Sequence, residues 1–107
     1  MIFATDWLTC LIDVSVNATD SEEANLGREC DYLLIEIPTI TSANLSLKVS
    51  RTSGGTFQAL GSGSQLIAAG TGAFTTTVKL GGYQFIKIIS SVSQAADITF
   101  RVRGMRS

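Results

Sequence analysis

Few residues in this chain could do chemistry, and their spacing argues against most of it. Asp20, Glu22 and Glu23 could in principle share a divalent cation. An EF-hand-type loop needs oxygen ligands at alternate positions and a glycine at its sixth, and this stretch is not such a loop, so it reads as a solvated acidic connection. Asp13 and Glu36 fall on strand-like segments and could approach each other as a glycosidase-type carboxylate pair. Acids at such positions more often mark the outward faces of a sheet. Gly61–Gly63 and Gly70–Gly72 look superficially like phosphate loops but lack the following lysine and the strand-to-helix context that makes such loops work. They read as turns. The sequence has no histidine, which removes Ser-His-Asp and Cys-His catalysis and the commonest metal ligand. Two cysteines without histidine make a poor zinc set. Neither an enzyme nor a cofactor or metal is expected.

Cys10 lies on the apolar side of a strand-like run with Leu8 and Ile12 and reads as a buried free thiol. Cys30 sits between Glu29 and Asp31, whose negative charge disfavours a thiolate. A Cys10–Cys30 disulfide stays open if the two strands are neighbours. The N-terminus lacks a basic start followed by an apolar stretch and a small-residue cleavage site. The longest apolar runs fall far below the ~20 residues that span a bilayer. Assembly in a reducing cytoplasm is therefore expected, and the sequons at Asn17 and Asn44 read as chance matches.

The elements that would carry these residues are β-strands. The chain has 107 residues with net charge −1, from eight Lys+Arg and nine Asp+Glu. That suits one core and gives no basic excess for nucleic acid and no membrane role. Leu8, Cys10, Ile12, Val14 and Val16 alternate with Thr9, Asp13 and Ser15, the period-two signature of a half-buried strand. Asp31–Ile37 is the most apolar run and is predicted to be central and packed on both faces, ending at Pro38. Leu45, Leu47 and Val49 alternate with serines and Lys48, and Gly54-Gly55 then signals a hairpin. Short strands are predicted near Gln65–Ile67, at Thr75–Leu80 up to Gly81-Gly82, and in the closing pair Leu80–Ser91 and Asp97–Arg103. No helical stripe appears. The predicted fold is all-β: a single antiparallel β-sandwich, jelly-roll-like, of about eight strands over residues 7–107, preceded by an N-terminal arm at 1–6.

In order, Leu33–Ser50 (LLIEIPTITSANLSLKVS), Gly54–Phe57 (GGTF), Leu80–Lys87 (LGGYQFIK), Ser93–Ala96 (SQAA) and Phe100–Gly104 (FRVRG) resemble small β-sandwich virion structural proteins of tailed bacteriophages. The resemblance spans residues 7–104 and rests on strand pattern and phrase, not on a catalytic motif. It implies a virion component assembled in the host cytoplasm: a head decoration (cement) protein, or an accessory part of the neck, tail or baseplate. The implied partners are the major capsid protein or other virion subunits, together with copies of the chain itself, a trimer being the natural guess at three-fold positions. A carbohydrate-binding module for host attachment is the alternative of a different class, with Trp7, Phe57, Phe74 and Tyr83 as its possible sugar-stacking residues.

The candidate partner-contact residues are Phe3, Trp7, Phe74, Arg101 and Arg103, on the arm, in the Gly61–Phe74 loops and on the last strand. The three C-terminal arginines otherwise read as a solvated face. Deleting residues 1–6 is expected to weaken attachment to particles while leaving the remainder folded. Full occupancy by the truncated chain in a particle-binding assay would overturn a role for the arm.

Overall fold

The computed structural model describes residues 3–4, 6–59 and 67–106. Six strands follow in order: β1 (Phe3–Ala4), β2 (Leu8–Ile12), β3 (Ala24–Ser50), β4 (Gln58–Ala59), β5 (Ile67–Ser90) and β6 (Ile98–Arg106). The described residues contain no helix. Every strand pairing is antiparallel and all belong to one sheet.

β3 has 27 residues and β5 has 24. Drawn straight at roughly 3.3 Å per residue, β3 alone would reach roughly 90 Å, yet the longest dimension of the molecule is 39 Å. Both strands therefore bend, and they bend together. Their ladder pairs Ala24 with Ile86, then Tyr32–Ile37 with Lys79–Phe74, then Leu45–Ser50 with Ser90–Phe85. Register shifts between Asn25 and Cys30 and between Thr39 and Ala43 mark the bends of β3, as bulges do. β5 answers with Gly81 and Gly82, at φ 74° and 98°, a backbone region open to glycine and strained for other residues.

The sheet thus curls on itself. One stretch runs β2, β6, the middle of β3, then β5 at Phe74–Lys79. The other places β5 at Phe85–Ser90 between the two ends of β3, with β4 outside. Cys10, Ile12, Leu33, Ile35, Ile37, Phe100 and Val102 from the first meet Ala24, Leu45, Leu47, Val49, Ile86 and Ile88 from the second in one buried cluster. Each of the Leu, Ile, Val and Phe side chains in it adds roughly 1.5–3 kcal/mol when taken out of water.

Four sequence expectations change. The alternation from Leu8 to Val16 is strand only as far as Ile12, and Val16 is exposed in the turn beyond it. In place of about eight short strands, the described residues form six, because β3 and β5 carry their ladder through bends that the turn signals marked as ends. Pro38 does not end β3. Its neighbours Ile37 and Thr39 still pair with Phe74 and Gly72, while pairing to β6 ends at Glu36. The missing N–H thus falls where β3 has lost one neighbour. The Tyr32–Ile37 stretch is central but is buried on one face only: Leu33, Ile35 and Ile37 point in, Tyr32 is 42% exposed, and Leu34 and Glu36 are half-buried.

The open question of the cysteines is settled by register: both are free and buried. Cys10 lies opposite Phe100, whereas Cys30 lies under Gly104, where an added Cβ would stand 2.5 Å from its Sγ. Four residues along β6 amount to roughly 13 Å, well beyond the ~7 Å between Cα atoms that a disulfide tolerates. Burial pushes both thiols up, against the hydrogen bond with Ser21 at Cys10 and against the Arg106 and Arg28 charges at Cys30. Asp31 contributes the smallest of the effects on Cys30, so burial, not the flanking acids, governs this thiol.

Gly104→Ala is expected to force Cys30 and Leu26 apart and to cost roughly 1–3 kcal/mol, the usual penalty for overpacking a core. The shift of the urea midpoint measures it, and an unchanged midpoint would contradict the packing at this strand crossing.

Candidate interaction face

β6 alternates cleanly. Ile98, Phe100 and Val102 are buried, and Thr99, Arg101 and Arg103 face outward. Residues directly opposite each other in an antiparallel pair share a face, so the register assembles the surroundings of the arginines. Arg101 has Thr9 on one side and Glu36 on the other; Arg103 has Leu34; Met105 has Tyr32. Beyond them on β5 lie Thr75, Thr77 and Lys79. The result is an outward face with a cationic row on β6, a mixed row of Tyr32, Leu34 and Glu36 on β3, and a threonine-rich margin.

Trp7, just before β2, completes this face. The guanidinium carbons of Arg103 and Arg101 lie 5.2 and 5.8 Å from its ring, within reach of a cation–π attraction worth roughly 0.5–1 kcal/mol each at exposed sites. The arginines hold the half-buried indole against the sheet, and the indole holds the arginines. Less side-chain freedom is then lost when a partner covers the face.

Trp7, Arg101 and Arg103 therefore come together as one surface. Phe74 does not join them. It is 41% exposed but pairs with Ile37, which puts it in the inward register, on the opposite side of the sheet from Arg101 and Glu36. Phe3 lies in β1, opposite Arg106. Of the Gly61–Phe74 segment, residues 61–66 lie outside the described residues, and 67–74 belong to β5, not to a loop. Tyr32 and Leu34 share this face without being candidates in the sequence, because a nearly continuous apolar run hides its own alternation.

The other candidates serve the scaffold. Asp20 accepts a bond from Thr19 Oγ1 at 2.9 Å and pairs with Lys48 at 3.6 Å. Glu23 accepts the Gly54 N–H at 2.7 Å and the Ser53 hydroxyl at 2.6 Å, which clamps the hairpin turn. Asp13 caps its own turn by accepting the Ser15 N–H and hydroxyl, while Glu36 stands mid-strand opposite Arg101; they form no carboxylate pair. No group of three potential metal-binding side chains forms among the described residues. The four aromatics proposed as a sugar platform separate: Trp7 lies under the β6 arginines, Phe57 against Lys87 at 4.7 Å, Phe74 opposite Ile37, and Tyr83 against the core.

No protein-family model and no curated protein sequence matches the chain. Among solved structures, the fold is similar to that of the SPBc2 prophage-derived protein YomS, with TM-score 0.60 and 16% identity over 98% of this chain and 95% of that one. It is also similar to the family 32 carbohydrate-binding module of NanJ from C. perfringens, solved in complex with galactose, with TM-score 0.53 and 12% identity over 96% and 92% of the two chains. These likenesses establish a shared all-β fold.

The clamp on the hairpin turn gives a pH dependence with a definite sign. The Gly54 N–H, and then the Ser53 hydroxyl, hold the Glu23 carboxyl below its ordinary 4.5. A depressed carboxyl stabilises the fold above 4.5 and loses that contribution as pH falls through its folded value. Glu23→Gln is expected to flatten this part of the acid limb in thermal melts followed across pH. An acid limb identical to that of the parent chain would contradict the clamp.

Proposed function

We propose that this chain is a bacteriophage virion structural protein, a decoration (cement) protein that binds and stabilises the assembled head, and that its curled sheet is a jelly-roll-like β-sandwich. The observation that carries the proposal is the end-to-end fold likeness to a prophage-derived protein, which adds to the sequence resemblance over residues 7–104. Fold alone does not assign a role, so the surface must supply the mechanism. Tryptophan and arginine are the side chains in which binding energy concentrates at protein interfaces, and here they are held together before any partner arrives. An acidic patch on the major capsid protein is the complementary partner. Binding to assembled shell and not to free subunits stabilises the shell by mass action, and self-association, with a trimer at three-fold positions, adds avidity. No catalytic group is needed for this work, and we assign none.

Placement in the neck, tail or baseplate is the nearest alternative within the same class, and copy number separates the two: hundreds per particle for the head, a dozen or fewer for the tail. Glycan binding is favoured by one observation, the likeness to a module solved with galactose. Against it, the aromatic side chains lie apart and Trp7 already carries two arginines.

The Arg101→Ala/Arg103→Ala variant is expected to keep its fold by circular dichroism and to lose particle affinity by roughly tenfold or more, equivalent to about 1.4 kcal/mol. Quantitative co-sedimentation with undecorated heads measures it. Unchanged occupancy would remove this face from the interface, and saturable galactose binding without head binding would favour the glycan reading.

A further inference from the structure

A second charged site lies away from the Trp7 face. Arg28, Arg51 and Arg106 line one open cleft of about 380 Å³, with Glu29 as the acid on its wall. These arginines are far apart in sequence and meet through topology. Arg28 stands on the bulge of β3 between Asn25 and Cys30, Arg51 just after the end of β3, and Arg106 at the end of β6. Three of the chain's eight basic residues and one of its nine acidic ones gather here, although the chain as a whole is negative. The guanidinium fork matches the oxygens of phosphate or carboxylate.

The cleft is also built to hold its shape. Asn25 Oδ1 accepts both the Gly27 N–H at 2.8 Å and the Gln84 Nε2–H at 2.9 Å, which ties the bulge carrying Arg28 to β5. Gln84 itself lines the cleft. The turn after Arg51 is pinned by Glu23 through Ser53 and Gly54. Gly27 and Gly82, both at positive φ, bring backbone without side chains to its wall. The positive field is felt nearby, since Arg106 and Arg28 both oppose the burial effect on Cys30.

We infer that this cleft is an anion site for a ligand carrying clustered oxyanions, phosphate or carboxylate, on a body too large for a single ion. At about 380 Å³ the cleft is larger than a single ion requires. The site is independent of the proposed role on a head and of the Trp7 face.

Titration of the full chain with pyrophosphate and, separately, with citrate tests it, at constant ionic strength set with sodium chloride and followed by backbone amide shifts and calorimetry. The expected result is saturable binding of at least one of the two, with shifts at Gly27, Gly82 and Arg106 and none at Trp7. The choice between them identifies phosphate or carboxylate as the recognised chemistry. Arg51→Ala/Arg106→Ala is expected to weaken binding at least tenfold, while Arg101→Ala/Arg103→Ala leaves it unchanged. No saturable binding of either anion beyond matched chloride, or equal binding by the Arg51/Arg106 variant, would overturn the inference. An unchanged amide spectrum away from the substitutions verifies that this variant is folded.

Discussion

The bent ladder between β3 and β5 is the constraint on which everything else depends. Two strands of 27 and 24 residues cannot lie straight in a molecule 39 Å long. They must fold back together, and folding back brings the Leu33–Ile37 surface over the Leu45–Val49 surface. The core is a consequence of that bend. So is the placement of β6, which pairs with β3 only along Tyr32–Glu36, the stretch between two register shifts. Most contacts in such a ladder are distant in sequence, which predicts slow folding relative to a helical protein of the same size.

Bends expose backbone, and buried side chains close the gaps. Gln94 accepts the Thr41 N–H at 2.8 Å and returns a bond to the Thr41 carbonyl at 3.2 Å, so one amide stands in for a ladder rung at the second bend of β3. Its own N–H reaches the Ala18 carbonyl at 2.9 Å. Ser21 does similar work against β5, where its hydroxyl accepts the Ile88 N–H at 2.8 Å and its N–H bonds the Ile88 carbonyl at 2.9 Å. No buried side-chain nitrogen or oxygen among the described residues lacks a partner. A scaffold satisfied in this way presents surface residues at fixed positions, as a binding protein requires.

Much of this was legible in the sequence. Alternation in Leu8–Val16 and Ile98–Arg103 gave the strands and their outward faces, although the first strand stops at Ile12, and Gly54-Gly55 gave the hairpin between β3 and β4. What was not legible depends on partners remote in sequence. Pro38 and Gly81-Gly82 look like strand ends locally, and only the other strand bending at the same place lets the ladder continue. The separation of Cys10 from Cys30 follows from the β6 residues they lie against, Phe100 and Gly104, which neither neighbourhood encodes. Trp7, Arg101 and Arg103 were found by residue type, but their stacking required the β2–β6 register. The aromatic ring of Phe74 suggests a contact residue, but its pairing with Ile37 turns it to the other side.

The functional reading rests on a rigid all-β scaffold and on a face where an indole packs against two arginines. The most direct measurement is an image of the assembled phage particle at a resolution that places this chain. The expected result is density for many copies on the outside of the head, with Trp7, Arg101 and Arg103 turned against acidic side chains of the shell. Copies confined to the tail would contradict decoration, and a head-bound chain with this face open to solvent would contradict the mechanism.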